Sequence, residues 1–166
     1  MREGATPFGP ARTIDTAHLT VTAAISDDKV APGKRLTMLF DVTPRRGMHI
    51  YAPGKHSYQV IRVAMRQEPW LSVHEMHYPA SEIFYFAPLD ERVEVFMKPF
   101  RLTQDVTVLA TPEVQKLLAD KTELTIAGTL EYQACDEKLC YAPQSVPFEW
   151  TLPLSQLDRK PSGGGR

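Results

Sequence analysis

Short runs that alternate apolar and polar residues, each ended by a turn cluster, constrain this chain more than any other feature of its sequence. Residues 18–25 alternate and stop at Ser26-Asp27-Asp28, and Pro32-Gly33 marks a second turn before residues 36–42. Pro44 to Gly47 breaks the chain again. Residues 48–51, 60–65, 71–78, 92–97, 105–109, 123–132 and 146–152 supply further strand candidates. A period of two sends successive side chains to opposite faces, so each run can bury one face and leave the other wet. About nine such runs, with turn signals roughly every ten residues, predict an all-β sandwich or barrel. Neither strand–helix alternation nor an internal repeat is present. One helix is predicted: Thr111 can cap it, Pro112 suits its first position, and Val114, Leu117 and Leu118 share a face. Between Pro79 and Arg92 the alternation loosens, and residues 83–88 read as a loop with an unusual apolar load.

The 166 residues suit one domain, and 43% hydrophobic against 23% charged residues is enough for a covered core. A formal net charge of -1 gives no basic face for nucleic acid or an anionic membrane, so neither is expected as a partner. No run approaches the roughly 20 apolar residues that cross a bilayer. Residues 1–10 are polar, without the apolar centre of a signal peptide, and residues 160–166 read as a flexible tail or linker. The expected organisation is a flexible segment over 1–16, one domain over 17–156 and a flexible tail over 157–166.

The two cysteines, Cys135 and Cys140, have four residues between them and lie between two strand candidates, and Asp136, Glu137 and Lys138 are natural turn residues. The pair is therefore expected near the base of a hairpin, facing across it. A bridge closing so short a loop removes little unfolded-state entropy, on the order of 2 kcal/mol. In its reduced form Lys138 would favour a thiolate, whereas Asp136 and Glu137 would oppose one. Spacing alone leaves a structural clip and a redox pair both open.

Gln133-Ala134-Cys135 followed by Cys140-Tyr141-Ala142-Pro143 resembles the site of the N-terminal domain of the DsbD thiol:disulfide interchange family. Residues 47–51 are similar to that family's early strand with alternating aromatics, and residues 83–88 fall where the family has a cap loop over its cysteines. The resemblance implies an immunoglobulin-like β-sandwich with one short helix, periplasmic or otherwise extracytoplasmic. It implies a relay in which a thioredoxin-like domain or membrane electron transporter reduces the disulfide and oxidised periplasmic proteins receive the electrons, in a setting such as cytochrome c biogenesis. Cys135 and Cys140 carry over as the redox pair and Tyr51 as a flanking aromatic. His49 stands where another aromatic is expected, and Phe84 or Phe86, with Tyr85 between them, supplies the cap. Tyr141 flanks Cys140, which is favoured as the sulfur first attacked. No cofactor is implied. The well-known branch of the family has one residue more between its cysteines, so the hairpin tip must differ. Its acidic residues near the site have no clear match here, and Asp90 and Glu91 are the nearest candidates for tuning the thiols.

Three other readings of the sequence compete. A metal centre lacks clustered Cys/His spacing, since His18, His49, His56, His74 and His77 are dispersed and the segment from Cys140 to Trp150 has no histidine or methionine. Hydrolysis lacks a nucleophile elbow. The remaining alternative is a non-enzymatic interaction module whose disulfide is structural and whose Phe84-Tyr85-Phe86 stretch binds a protein.

Overall fold

Among the described residues twelve strands form, most of them where the sequence can bury one face, and they pair in three sheets. The computed structural model describes residues 11–156. The five-stranded sheet runs β1 (Ala11–Asp15), β2 (Leu19–Ile25), β3 (Arg35–Pro44), β9 (Phe100–Val108), β6 (Leu71–His77). The three-stranded sheet runs β12 (Gln144–Pro153), β10 (Glu123–Tyr132), β5 (Arg62–Met65). The four-stranded sheet runs β11 (Ala134–Cys135), β4 (His49–Tyr51), β8 (Glu91–Phe96), β7 (Glu82–Phe86). All of these ladders are antiparallel. The result is an immunoglobulin-like β-sandwich with one short helix.

The main core lies between the first two sheets. Phe40 on β3 is fully buried and meets Phe148 and Trp150 of β12 at ring separations of 5.1 and 6.3 Å. The strict alternation of β12, with Val146, Phe148, Trp150 and Leu152 buried and their neighbours exposed, follows from one face meeting this core. Gly128 on β10 is held by close approach: a Cβ there would come within 2.7 Å of the Ala64 carbonyl oxygen on β5. The helix α1 (Pro112–Leu118) forms as its sequence predicts. Thr111 accepts a hydrogen bond from the Val114 amide at 3.2 Å, and Val114 and Leu118 are buried while Leu117 is exposed.

Two expectations are corrected. Residues 83–88 are not a loop: Glu82–Phe86 pairs residue for residue with β8, and a 3-10 turn over Ala87–Leu89 follows. As an edge strand with side chains exposed on one face and half-buried or, at Phe86, buried on the other, it lacks the polar alternation that marks β12. The expected flexible lead over 1–16 is replaced over Ala11–Asp15 by β1, an exposed edge strand with Ile14 packed against the core and Thr13 bonded to Thr22. One inward apolar residue is too weak a signal to read in sequence. The rest of that lead and the tail over 157–166 lie outside the described residues.

The four-stranded sheet positions the cysteines. Along its strands, Ile50, Phe96 and Ala134 enter the main core, while Tyr51, Val95 and Cys135 alternate to the other face and form a second cluster. Register completes that face. Cys135 pairs with His49, Tyr51 with Val95, Val93 with Phe84, and Glu91 with Phe86. With a side-chain period of two, His49, Tyr51, Phe84, Phe86, Glu91, Val93, Val95 and Cys135 therefore share one surface.

Candidate functional site

Cys135 and Cys140 form a disulfide with their Cα atoms 4.1 Å apart. They face each other as an antiparallel bridge pair. Backbone hydrogen bonds flank the pair, from the Asp136 amide to Leu139 and from the Tyr141 amide to Ala134. The cysteines thus occupy a non-hydrogen-bonded position, where antiparallel Cα atoms approach most closely. Their exposure is unequal: Cys135 is 1% exposed and Cys140 lies on the exposed side of the hairpin.

The tip between them is built by Asp136. One carboxylate oxygen accepts the Lys138 and Leu139 amides, both at 2.7 Å, and the other accepts the Tyr141 hydroxyl at 2.7 Å. These bonds, the Tyr141 hydroxyl first, bring the Asp136 carboxyl down to about 2. The same contact pushes the Tyr141 phenol up. Asp136 is a turn anchor, and Glu137 and Lys138 are exposed at the tip.

Tyr51 supplies the polar atom over the sulfurs. Its hydroxyl lies 2.9 Å from Cys135 Sγ and 3.2 Å from Cys140 Sγ. Disulfide sulfurs carry no proton, so the phenol is the donor. Burial above all, with Tyr58 and the Glu91 charge adding to it, pushes the Tyr51 phenol far up, so it stays protonated and able to donate. Tyr58 lies flat on Tyr51, with ring centroids 4.2 Å apart and planes within 3°. The Tyr58 hydroxyl donates to Glu91 Oε1 at 2.5 Å, and this bond first, then burial, pushes its phenol up. The loop carrying Tyr58 is braced by His56, which donates from Nε2 to the Ala52 carbonyl at 2.7 Å and accepts the Tyr58 amide at Nδ1 at 3.2 Å.

His49 is buried beside Cys135 and donates from Nδ1 to its carbonyl at 2.9 Å. Phe84 lies on the His49 ring at 3.7 Å between centroids and packs against the cluster that contains Cys135. Phe86 is buried behind it at 6.3 Å. Of the two cap candidates, Phe84 is thus the one in this cluster. Tyr85 points to the opposite face, under the Arg92 guanidinium, and its hydroxyl donates to Asp90 at 2.7 Å. Asp90 is therefore directed away from the cysteines, whereas Glu91 is tied to them through two tyrosines.

Nothing in the sequence marks Tyr58, which stands in a loop with glycine, proline and serine, as part of the site, and His18 stands out there only as one of five dispersed histidines. The His18 ring lies 4.8 Å from that of Tyr141, and its Nδ1 is 3.1 Å from the Tyr132 hydroxyl. In the sequence Gln133 stands out only as part of the cysteine motif. Its side chain donates to the Tyr141 carbonyl and accepts the Gln59 amide, tying the hairpin to the Tyr58 loop. The contacts of His18 and Gln133 span 8 to 123 residues, and the Tyr58 bond to Glu91 spans 33, beyond the reach of a local pattern. Among the described residues, no helix is long and apolar enough to cross a membrane.

A family model described as the N-terminal part of the thiol:disulfide interchange protein DsbD matches residues 17–151. No curated protein matches the chain. Among solved structures, the N-terminal periplasmic domain of ScsB from Proteus mirabilis is similar at 18% identity and a TM-score of 0.52, covering 87% of this chain and 49% of that one. The chain thus spans about half the length of that relative. The reduced DsbD N-terminal domain of Neisseria meningitidis is 16% identical with a TM-score of 0.43, covering 75% of this chain and 83% of that one. At 18% identity the likeness to the ScsB domain speaks to fold alone.

Proposed function

The chain belongs to the family of DsbD N-terminal domains, and on that premise we propose that it is an extracytoplasmic thiol:disulfide interchange domain working through a reversible Cys135–Cys140 disulfide. Its electrons come from a thioredoxin-like domain or membrane transporter, and oxidised periplasmic proteins receive them. The observation that carries this reading is a disulfide with one exposed end, Cys140, and a phenol hydroxyl in contact with both sulfurs. A structural clip needs neither.

A donor thiolate attacks Cys140 Sγ and the S–S bond breaks. Its electron pair stays on Cys135 Sγ, which leaves as a thiolate. Tyr51 lies within reach to donate a hydrogen bond to that charge, which would otherwise be buried and unpaired. A second donor thiol, having lost its proton, then attacks the donor sulfur of the mixed disulfide and releases Cys140. The donor leaves as a disulfide, and the pair has gained two electrons and two protons. The reverse sequence reduces an oxidised acceptor. Phe84, lying on His49, must shift where a partner needs the buried sulfur.

Equilibrating the protein in glutathione or dithiothreitol buffers tests the reading. A reduction potential between roughly -120 and -270 mV supports exchange, and one below about -300 mV marks a structural clip. The order of attack is checked by trapping: the Cys135→Ser variant should accumulate a mixed disulfide through Cys140, and Cys140→Ser should react far more slowly. Trapping only through Cys135 would reverse the assignment.

A further inference from the structure

Tyr51 does not hold its own hydroxyl in place. Its backbone bonds to Gln133 and Ile61 fix the strand, but the outer face of the ring is covered by Tyr58. Tyr58 sits in an irregular loop, and a loop side chain would ordinarily sample several rotamers. Here its position is set from both ends. His56 accepts its amide, and Glu91, at the start of β8, accepts its hydroxyl. Glu91 shares the sheet face of Val93, Val95 and Tyr51, so the carboxylate reaches the tyrosine pair without leaving the site surface.

We propose that Glu91 and Tyr58 are positioning residues for thiol–disulfide exchange: together they hold the Tyr51 hydroxyl over the sulfurs as the hydrogen-bond donor to the departing thiolate. The inference rests on the exchange reading above. Glu91 touches neither sulfur, and its influence runs through Tyr58 and then Tyr51. The direct alternative, in which the Glu91 charge acts on the thiolate through space, has the opposite sign. A nearby negative charge disfavours a thiolate, so removing it would lower the thiol titration. Removing a brace that keeps a donor in place raises it. The other polar and titratable groups around the pair are already engaged: His49 Nδ1 with the Cys135 carbonyl, and Tyr141 with Asp136.

The test measures the pH dependence of cysteine alkylation in the reduced full-length chain carrying Tyr58→Phe, Glu91→Gln or Glu91→Ala, each in the native and the Tyr51→Phe background. Wild-type exchange with dithiothreitol is measured alongside, so a wild type that does not exchange overturns the functional reading and leaves the positioning result separate. Expected is an upward shift of the thiol titration for Tyr58→Phe and Glu91→Ala, and a smaller one for Glu91→Gln, which keeps an acceptor oxygen. In the Tyr51→Phe background all three changes should have no further effect. Tyr58→Phe keeps the stacked ring and the net charge, so it provides the test even if the Glu91 variants fold poorly. A downward shift on removing Glu91, equal shifts in both backgrounds, or no shift with Tyr58→Phe would each overturn the proposal.

Discussion

Replacing Tyr51 with phenylalanine removes an oxygen lying 2.9 Å from Cys135 Sγ and 3.2 Å from Cys140 Sγ, and leaves the ring stacked on Tyr58. The ring is buried, so the variant presents hydrocarbon to the sulfurs where the native protein presents a donor. A hydrogen bond to a charged group contributes about 1.5–3 kcal/mol. At 1.36 kcal/mol per unit, losing it should raise the first thiol titration of the reduced pair by about 1–2 units.

Two effects on rate follow, and they oppose each other. Near neutral pH the thiolate fraction falls by about 10- to 100-fold, while each remaining thiolate, being more basic, is about 3- to 8-fold more nucleophilic. The net result is attack slower by about 3- to 12-fold at pH 7. Above both titrations only the nucleophilicity remains, and the variant should be faster by about 3- to 8-fold. Second-order rates of reaction with iodoacetamide, measured across pH on both reduced proteins, should therefore cross. Curves that superimpose would mean the hydroxyl does not serve the thiolate. A variant slower at every pH would mean that the substitution acts through packing.

Three further outcomes are expected. Phe84→Ala should speed reduction of the disulfide by dithiothreitol about tenfold, the effect of losing an aromatic contact of up to roughly 1.5 kcal/mol. Ile83→Ala, on the exposed opposite face of the same strand, should leave the rate unchanged, and equal effects of the two would remove the cap role. Asp136 has its carboxyl lowered from 3.8 to about 2, so its bonds stabilise the fold above pH 4 and are lost as pH falls toward 2. The wild-type melting temperature should accordingly drop more steeply over that interval than that of Asp136→Asn, and parallel curves would refute the turn-anchor role. Gly128→Ala should lower stability to urea by about 1–3 kcal/mol, because its Cβ meets backbone of β5 that cannot move independently. An unchanged midpoint would show that β5 yields freely.

Legibility in the sequence followed the range of the interactions. Strands β2, β3, β10 and β12 were readable because each buries one face against a continuous core, which imposes alternation on the residues themselves. Helix α1 was readable because its cap, its proline and its apolar face fall within eight residues. Strand β7 reads as a loop in the sequence, since an edge strand reports the chain it pairs with as much as its own composition. Strand β9 begins at Phe100, ahead of the run expected from Asp105, because pairing with β3 continues through Phe100, Arg101 and Leu102.

The cysteine site divides in the same way. Cys135 and Cys140 are five positions apart, and their hairpin and its Asp136 turn are local chemistry that the sequence determines by itself. What stands over the disulfide is not local. Tyr51 is 84 residues from Cys135, Tyr58 is 33 residues from Glu91, and Phe84 reaches the site only because β7 pairs with β8 in one register and not the next. A shift of one residue would send Phe84 outward and bring Ile83 or Tyr85 in. Sheet register is chosen by the packing of the whole sandwich, so the tertiary structure alone decided that a protonated phenol, and not hydrocarbon, lies over the sulfurs.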